Sequence, residues 1–585
     1  MNQRAIYTAL MALFLAGNAA AQTKETSRIV CNPIDLDYAF YIRQEGDDPQ
    51  RSGVREAADP VVEIYNDRYY LFPSKSKGYW SFDDMHYWRY IPTDVLPIDL
   101  YAPTAMIYKG ELYWMVSDLN SLYKTTNPED GNSWQLVTGH LAPYPDKPEL
   151  TVHDPDLFLD DDGRVYLYWG CSDEDDIYGI ELDPSHDFRS VGHPQVVIRH
   201  MEKTYGWEQP GDKNNIVKPG YNEGASMFKH KGKYYLQYAA PGTEFDSYGD
   251  GLYIADRPLG PYTHADYSPI SIKPGGWMTG AGHGDTFYDK HGNLWHVATT
   301  VISQRMPFER RIGFFPMVMT DEGRLYAMTE WSDCPYVLPD RKVDFAKEQL
   351  WTGWRDLAIG STVSASSAYT THLPECAVDN TIKTWWSAAT GHPGEWLVID
   401  LGQKREIAAI QPNFADQDFG FYSKTVRKSP YKYVIECSED GENWTMMIDK
   451  SSSQKLNPHE LLILEKPVGT RYLRIINCAE LTGKFSLFDL RVFGVGTGQA
   501  PAIVNAVKAT RGKDQRRIRL TWDRSKGATG YILHWGTRPD ELFSSCQTSE
   551  PQLELGLFTI GQKYYFRIDA FNESGVTFGL VTKSF

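Results

Sequence analysis

The stretch His-Asp-Pro-Asp-Leu-Phe-Leu-Asp-Asp-Asp-Gly at residues 153–163, followed by Val-Tyr-Leu-Tyr-Trp at 165–169, decides the fold. It combines a carboxylate before a proline, a short apolar strand, a turn rich in Asp and Gly, and a second strand rich in aromatic residues. Asp and Gly between two such strands predict a β-hairpin. This hairpin is therefore the unit to look for in the rest of the chain.

The same pattern occurs five times in the first three hundred residues. The copies begin at Asp59-Pro60, Ala102-Pro103, Asp154-Pro155, Glu223-Gly224 and His283-Gly284. Five copies spaced roughly 40–70 residues apart, with further strands between them, predict a five-bladed β-propeller. A β-sandwich in which the similarity is accidental is the alternative.

Aligning the copies on the Pro or Gly places Asp59, Ala102, Asp154, Glu223 and His283 in one register. Equivalent positions of successive blades surround the axis of a propeller. A single Asp before Pro is most often a turn or capping residue. Four ionisable groups in one register instead predict a chemical site at the mouth of the channel, since buried carboxylates are costly unless paired or functional.

Two carboxyl groups in unlike environments are what hydrolysis of a glycosidic bond requires. One must be protonated to release the leaving oxygen, and the other must be ionised to activate water. A third carboxylate nearby would raise the pKa of the acid. A gap of about 6.5–9.5 Å leaves room for water and inverts the anomeric centre. The candidates lie on different blades, which favours this wider gap.

Residues 30–340 resemble glycoside hydrolase family 43, a family of five-bladed inverting enzymes. The resemblance rests on Glu-Ala-Ala-Asp-Pro at 56–60, residues 153–163, Asn-Glu-Gly-Ala at 222–225 and Gly-His-Gly-Asp at 282–285. It implies that Asp59 is the general base and Glu223 the general acid. It also implies that Asp154 adjusts the pKa of the acid and orients it.

The resemblance extends to metal and substrate binding. No cofactor is required, but His283 matches a position that in many members helps to hold calcium in the channel; Asp285 departs from the usual Asn or Ser. A hydrogen-bonded structural histidine is the alternative. An Arg near the substrate corresponds to Arg310 or Arg311, each of which is otherwise a surface charge. Trp207, on a Gly- and Pro-rich loop, is a candidate sugar platform.

Two further modules follow the predicted propeller domain, which spans residues 22–345. Residues 355–496 resemble a discoidin, or factor V/VIII type C, β-sandwich of jelly-roll type, through Glu-Trp-Leu-Val-Ile-Asp-Leu-Gly at 395–402 and Ser-Glu-Asp-Gly-Glu-Asn-Trp at 438–444. Such domains often bind carbohydrate, and a purely structural role is the alternative. Residues 501–585 resemble a fibronectin type III β-sandwich, with Trp522 and Tyr565 as core anchors. The predicted fold class is therefore all-β throughout.

Composition and the first residues restrict the partners and the compartment. The 585 residues include 59 Lys and Arg against 76 Asp and Glu, a formal net charge of −17 that argues against a nucleic-acid partner. Residues 1–21 have the pattern of a secretory signal peptide, and no other stretch is apolar enough to span a membrane. An exported protein is therefore expected. The seven cysteines lack close metal-ligand spacing, which argues against zinc.

The favoured function is that of an inverting glycosidase acting on plant-type polysaccharide or oligosaccharide. Family resemblance favours an α-L-arabinofuranosidase, with a β-xylosidase or a galactose-directed exo-glycosidase as alternatives. Two other classes are a carbohydrate-binding propeller that has lost catalysis and a structural or adhesion protein. The first does not explain why all three carboxylates are present, and the second leaves the acidic ring without a role.

Overall fold

The computed structural model describes residues 28–40, 54–139, 141, 143–144, 147, 150–302, 306, 308–419 and 430–583. The predicted signal peptide, residues 1–21, lies outside them. The described residues are almost entirely β-structure, with short 3-10 helices at Pro184–His186, Gly206–Glu208 and Pro374–Ala377. The predicted all-β fold class is confirmed. None of the helices in the described ranges has both the length and the apolar character needed to cross a bilayer.

Five antiparallel sheets form the blades of the propeller, and each runs outward in chain order from its first strand. The first strands of neighbouring blades contact one another and so surround the axis. Among the described residues, the first strand is β1 (Ile29–Val30). Blade 1 contains β2 (Ala58–Tyr65), β3 (Arg68–Ser74), β4 (Gly78–Phe82) and β5 (Arg89–Pro92); blade 2 contains β6 (Thr104–Tyr108), β7 (Glu111–Met115), β8 (Leu122–Thr125) and β9 (Gln135–Thr138); blade 3 contains β10 (Asp156–Leu159), β11 (Val165–Trp169), β12 (Ile177–Asp183) and β13 (Arg189–Ile198).

The remaining two blades complete the circle. Blade 4 contains β14 (Glu223–His230), β15 (Lys233–Ala240), β16 (Gly249–Ala255), β17 (Thr263–His264) and β18 (Ser271–Ile272), and blade 5 contains β19 (Thr279–Tyr288), β20 (Leu294–Val301), β21 (Arg310–Met319) and β22 (Leu325–Ala327). The next strand, β23 (Tyr336–Val337), pairs antiparallel with β1. This pairing joins the segment before blade 1 to the segment after blade 5, so backbone hydrogen bonds close the ring.

The middle domain, residues 355–495, is built on one eight-stranded sheet with two long strands, β27 and β30. Its strands are β24 (Arg355–Asp356), β25 (Thr362–Ala365), β26 (Trp386–Ser387), β27 (Trp396–Phe414), β28 (Tyr433–Ser438), β29 (Thr445–Asp449), β30 (Leu462–Asn477) and β31 (Ser486–Val495). Register shifts interrupt the pairing of β27 with β30. Such bulges bend a strand, which lets the sheet enclose an apolar core that includes Leu397, Ile435 and Leu490.

The C-terminal domain, residues 501–583, has two sheets in the orders β32-β33-β36 and β35-β34-β37-β38, with β39 paired to β37. The strands are β32 (Lys508–Arg511), β33 (Ile518–Thr521), β34 (Gly530–Gly536), β35 (Ser544–Thr548), β36 (Gln552–Leu555), β37 (Tyr565–Asn572), β38 (Gly575–Thr577) and β39 (Thr582–Lys583). Side chains of both sheets share one core, with Trp522 and Tyr531 in edge contact. The resemblance to fibronectin type III stays a prediction.

Candidate active site

The first strand of each blade has, just before it or near its start, a residue in the left-handed backbone conformation at the equivalent position; in blade 5, Gly280 and Ala281 also have positive φ. The equivalent residues have φ values of 48° at Asp59, 47° at Ala102, 49° at Asp154, 61° at Gly224 and 47° at His283. Residues with a Cβ rarely adopt such values, and strain of this kind occurs preferentially at functional sites. The five positions form one ring around the axis, which we call the axial ring.

Each N–H of the axial ring donates to a polar oxygen of the preceding blade or of the turn next to it. Because five blades close a circle, this pattern joins every blade to the next. The pairs are Asp59 with Thr299 Oγ1 (2.7 Å), Ala102 with Ser74 Oγ (2.7 Å), Asp154 with Ser117 Oγ (2.7 Å), Gly224 with Asp154 Oδ2 (3.3 Å) and His283 with Asp250 Oδ1 (2.8 Å).

The register in blade 4 corrects one sequence prediction. The bulge separates Ala58–Ser74 from Val61–Phe72 in blade 1, and Glu223–Ala239 from Ser226–Gln237 in blade 4. The residue equivalent to Asp59 is therefore Gly224, and the alignment that placed Glu223 there was wrong by one position. Alignment on Pro or Gly failed because in blade 4 the Gly is itself the left-handed residue. In the other blades the Pro or Gly comes one residue after the left-handed residue.

Asp59 is buried and accepts hydrogen bonds on both carboxylate oxygens. Ser74 Oγ donates to Oδ2 at 2.6 Å, and Arg310 Nη1 donates to Oδ1 at 3.0 Å. Burial alone would raise the pKa of Asp59, but the charges of Arg310 and His283, with hydroxyl donors from Ser74 and Thr299, outweigh it. The pKa of Asp59 is consequently below its ordinary value, so the group is ionised near neutral pH.

Glu223 is in the opposite electrostatic situation. Tyr248 donates to its Oε1, and the thiol of Cys171 lies 3.4 Å from its Oε2. Burial and then the negative charge of Asp154 raise the pKa of Glu223 to about 7, in spite of the Tyr248 hydrogen bond. A carboxyl group with this pKa retains a proton near neutral pH and can donate it.

Asp154 and His283 connect these two groups. Asp154 accepts from Ser117 Oγ at 3.2 Å, and His283 Nδ1 lies 3.7 Å from Asp154 Oδ2 and 3.4 Å from Asp59 Oδ1. Burial raises the pKa of Asp154, with the charge of Asp59 adding to it. Burial alone would lower the pKa of His283, but the surrounding carboxylates outweigh it and raise that pKa. An imidazolium here is consistent with its contacts to two carboxylates.

The axial ring and Glu223 thus place an ionised carboxylate and a protonated carboxyl group around one channel mouth. That pair is the equipment for acid–base hydrolysis of a glycosidic bond. The comparison with known families agrees with this chemistry, because residues 54–325 match the family model "Glycosyl hydrolases family 43". This part of the chain is a family 43 domain. Residues 362–487, within the middle domain, match the F5/8 type C domain.

Individual relatives match parts of the chain. A β-D-galactofuranosidase of Aspergillus niger is 24 % identical over 261 residues, which cover 39 % of this chain and 69 % of the relative. Mouse lactadherin is 31 % identical over 132 residues, covering 20 % of this chain and 27 % of lactadherin. The match to a solved glycoside hydrolase structure covers 78 % of this chain and 99 % of the chain in that structure, with 20 % identity and a TM-score of 0.45.

Arg310 and Arg311, both predicted near the substrate, are separated by the structure. In the family 43 domain Arg310 contacts Asp59, and its Nη2 donates to Glu56 at 2.7 Å. Arg311 is fully buried and its Nε donates at 2.9 Å to Nε2 of His459 in the middle domain. Neighbouring residues of a strand point to opposite faces. The prediction that Arg311 binds substrate is therefore wrong, while that for Arg310 stays a prediction.

The prediction that Trp207 forms a sugar platform is also wrong. Its side chain has no exposed surface and packs on Tyr238, with ring centroids 5.2 Å apart. The C-terminal domain covers the loop: the backbone N–H of Gly206 donates to the carbonyl of Phe558 at 3.2 Å. Stacking on a sugar requires an exposed ring face, and the sequence contained no sign that a later domain would cover this one.

Several site residues were missed in the sequence, and one group of them carried a signal. Ser74, Ser117 and Thr299 each lie within two residues of the end of the second strand of their blade, and each supports the next position of the axial ring. Aligning these strand ends would have revealed the repeated hydroxyl. Tyr248 and Cys171 could not be found in this way, because neither residue type recurs at the equivalent position of the other blades.

Deeper in the channel, further along the innermost strands, lie Glu63, Asp156 and Asp285. Burial and the charges of the other two raise the pKa of Glu63 to about 8, and burial raises the pKa of Asp156 to about 8 as well. Carboxylate oxygens are the ligands that calcium prefers, so these three residues have donor chemistry that suits the predicted ion, although their donor atoms do not all lie within 4.8 Å of one another. The Nδ1 of His283 fits it less well, because it faces Asp59 and Asp154 as an ion pair.

Proposed function

We propose that the family 43 domain is an inverting glycosidase in which Asp59 is the general base and Glu223 the general acid. The single observation that supports this most is the opposite shift of the two pKa values around one channel mouth. Asp154 would raise the pKa of the acid by its charge and keep Glu223 protonated until a leaving group arrives.

In the proposed reaction, Asp59 accepts a proton from a water molecule whose oxygen bonds to the anomeric carbon. The bond from that carbon to the leaving oxygen breaks, and Glu223 gives its proton to that oxygen. Arg310 and Ser74 keep Asp59 ionised and fix its orientation. Buffer protons then restore Glu223, and proton loss restores Asp59, so the sum is hydrolysis alone.

We propose a terminal α-L-arabinofuranosyl group on plant-type polysaccharide or oligosaccharide as the substrate. A second candidate is a β-D-galactofuranosyl group, favoured by the similarity to a β-D-galactofuranosidase. The two sugars share the configuration of their five-membered rings and differ in the length of the exocyclic chain. A β-xylosyl group, with a six-membered ring, is a third candidate.

The test is a panel of nitrophenyl glycosides of these three sugars, followed by arabinan and arabinoxylan. Preferential release from the arabinofuranoside would support the first assignment, and preference for the galactofuranoside would replace it with the second. Proton NMR during hydrolysis identifies the first anomer formed, and retention would contradict the role of Asp59. Binding to these polysaccharides without any hydrolysis would favour a carbohydrate-binding propeller.

Two variants separate the acid from the base by their dependence on the leaving group. We expect Asp59→Asn and Glu223→Gln each to lose about 10²-fold or more in kcat on natural linkages. With a dinitrophenyl leaving group, which needs little protonation, Glu223→Gln should recover much of its rate and Asp59→Asn should not. Equal recovery in both variants would contradict the assignment. Circular dichroism checks that both remain folded.

We expect kcat/KM to fall on both the alkaline and the acid side of its pH optimum. On the alkaline side, kcat/KM should fall as Glu223 loses its proton near pH 7. On the acid side, it should fall only below the ordinary pKa of an aspartate, since the pKa of Asp59 is lowered. A pH–rate profile with no alkaline decline up to pH 9 would contradict Glu223 as the acid.

Three further proposals concern export of the protein, the role of the middle domain and a calcium ion. We propose that the protein is exported after removal of residues 1–21, and that the middle domain contacts carbohydrate. Calcium, if bound, would be held by Glu63, Asp156 and Asp285, where it would neutralise their mutual repulsion. Equilibrium dialysis with calcium, before and after Asp156→Asn, tests this last point.

A further inference from the structure

Cys171 lies just after β11, next to the two coupled carboxyl groups of the candidate site. One donor atom each of Asp154, Cys171 and Glu223 lies within 4.8 Å of the others, and the sulfur is 3.4 Å from Glu223 Oε2. Asp154 is buried, whereas Cys171 and Glu223 are both partly exposed. The cluster is therefore partly open to solvent at Cys171 and Glu223, which gives an ion a path of entry.

The donor set selects a class of cation. A thiolate with two carboxylates suits zinc and cadmium, whose structural and catalytic sites combine sulfur, nitrogen and oxygen ligands. Magnesium and calcium prefer oxygen donors only, and thiolate is a poor ligand for them. Three protein ligands leave a fourth, tetrahedral position for water, as in open zinc sites.

Electrostatics favours the same conclusion. The negative charge of Asp154 raises the pKa of Glu223, so two carboxylates here repel each other when both are ionised. The imidazole nearest to Asp154 is shared with Asp59. A divalent cation between Asp154 and Glu223 would remove this repulsion, and it would do so at the group that the proposed reaction needs protonated.

We propose that Asp154, Cys171 and Glu223 form a binding site for a zinc-class divalent cation, and that occupation of this site inhibits the enzyme. Binding replaces the thiol proton of Cys171 and the carboxyl proton of Glu223 by bonds to the metal, and both protons go to solvent. Glu223 then has no proton to give to the leaving oxygen. The inhibition, unlike the binding, rests on the proposed glycosidase function.

Binding is tested on the full chain without any activity measurement. Isothermal titration calorimetry with zinc chloride should detect one site in the wild type, and Cys171→Ala should weaken it by about 10-fold or more, since loss of even a residue that only supports a ligand costs about that much. Cys437→Ser, which changes another partly buried cysteine in β28, is the matched control and should leave the affinity unchanged. Unaltered zinc affinity in Cys171→Ala would overturn the proposal.

Inhibition is tested on the best substrate of the panel, with each variant compared to its own rate in the absence of zinc. Zinc and cadmium should inhibit the wild type and Cys437→Ser reversibly, with recovery on chelation, while magnesium and calcium should not. Inhibition of Cys171→Ala at the same zinc concentrations would overturn the inhibitory role. If no substrate is hydrolysed, the proposed function fails while the calorimetric result still decides the metal site.

Discussion

The middle domain and the C-terminal domain both pack against the propeller beside its active-site face, but by different contacts. Arg55 Nε of the propeller pairs with Asp416 Oδ2 of the middle domain at 2.8 Å, and both side chains are buried. The C-terminal domain combines backbone hydrogen bonds, from Gly206 to Phe558 and from Ile560 to Thr204 at 3.2 and 3.1 Å, with a separate ion pair of Glu541 Oε2 with Arg324 Nε at 2.8 Å. The middle-domain contact near the candidate site is centred on one fully buried ion pair, and the C-terminal contact is distributed over several separate segments.

The charged contact continues to the predicted general base. Arg311, held by His459 of the middle domain, donates from Nη1 to the carbonyl of Arg55 at 2.7 Å and to that of Arg310 at 3.0 Å. Arg310 in turn binds Asp59. Burial and the two nearby Arg charges lower the pKa of His459, so its Nε2 stays an acceptor. The middle domain is thereby part of the scaffold that positions Asp59.

The distributed contact supports the acid side. The loop between β13 and β14 leads into Glu223, and the C-terminal domain covers it by adding Arg517 guanidinium contacts to the carbonyls of Lys213 and Asn214, both at 3.4 Å. Such contacts lose little when one member is removed. A single substitution should therefore disturb the middle-domain interface far more than the C-terminal one.

The largest expected effect is on the middle-domain side. Asp416→Ala leaves Arg55 buried without its carboxylate partner, which should lower the free energy of unfolding by about 3–5 kcal/mol. Because the disturbance reaches Arg310, the acid limb of the kcat/KM profile should also move to higher pH. Asp400→Ala, which breaks a surface pair with Arg471, is the control and should change stability by about 1 kcal/mol or less. Similar losses in the two variants would remove the distinction.

A steric change probes the C-terminal side. A Cβ on Gly206 would overlap the carbonyl oxygens of Gly556 and Phe558, so Gly206→Ala should cost about 1–3 kcal/mol in denaturant unfolding. kcat should fall more than KM rises, since the loop leads into Glu223, whose proton is needed in the transition state. Gly139→Ala, where the nearest atom is 4.0 Å from the new Cβ, should be neutral. A larger change in KM than in kcat would contradict this division of roles.

A third variant tests Asp59 without altering the contacts of the middle domain or the C-terminal domain. Ser74→Ala removes the hydrogen bond to Asp59 Oδ2 and should raise the pKa of that carboxylate, because a donor stabilises the ionised form. The acid limb of kcat/KM should move up by about one pH unit, equivalent to about 1.4 kcal/mol, while the alkaline limb set by Glu223 stays in place. Movement of the alkaline limb alone would show that Ser74 acts elsewhere.

The smallest effect is expected at the rim. Lys383 of the middle domain pairs with Asp246 of the propeller and lies 3.8 Å from Asp212. This pair is only partly buried, so Lys383→Met should change stability by about 1 kcal/mol or less. Thermal unfolding at low and high salt measures it. A loss comparable to that of Asp416→Ala would mean that charge, rather than burial, governs this interface.

Local sequence patterns were enough to predict most of the fold. Alternating strands, Asp- and Gly-rich turns and five repeats predicted the blades, since a hairpin is specified by neighbouring residues. The same repeat brought Asp59, Asp154 and His283 to one ring. It misplaced Glu223 by one residue, because the bulge in blade 4 uses Gly224 for its left-handed position, a difference that backbone conformation reveals and residue identity does not.

The sequence by itself determined the repeat, the acidic character of the channel and the likeness to family 43, because each depends on short segments read in order. Only the tertiary structure decided which charges are paired and which surfaces are covered. Trp207 and Arg311 lost their predicted roles because domains that come later in the chain pack around them. Cys171 gained one because folding brings its sulfur to Glu223. Burial and pKa depend on what surrounds a group in space, and no local spacing encodes that.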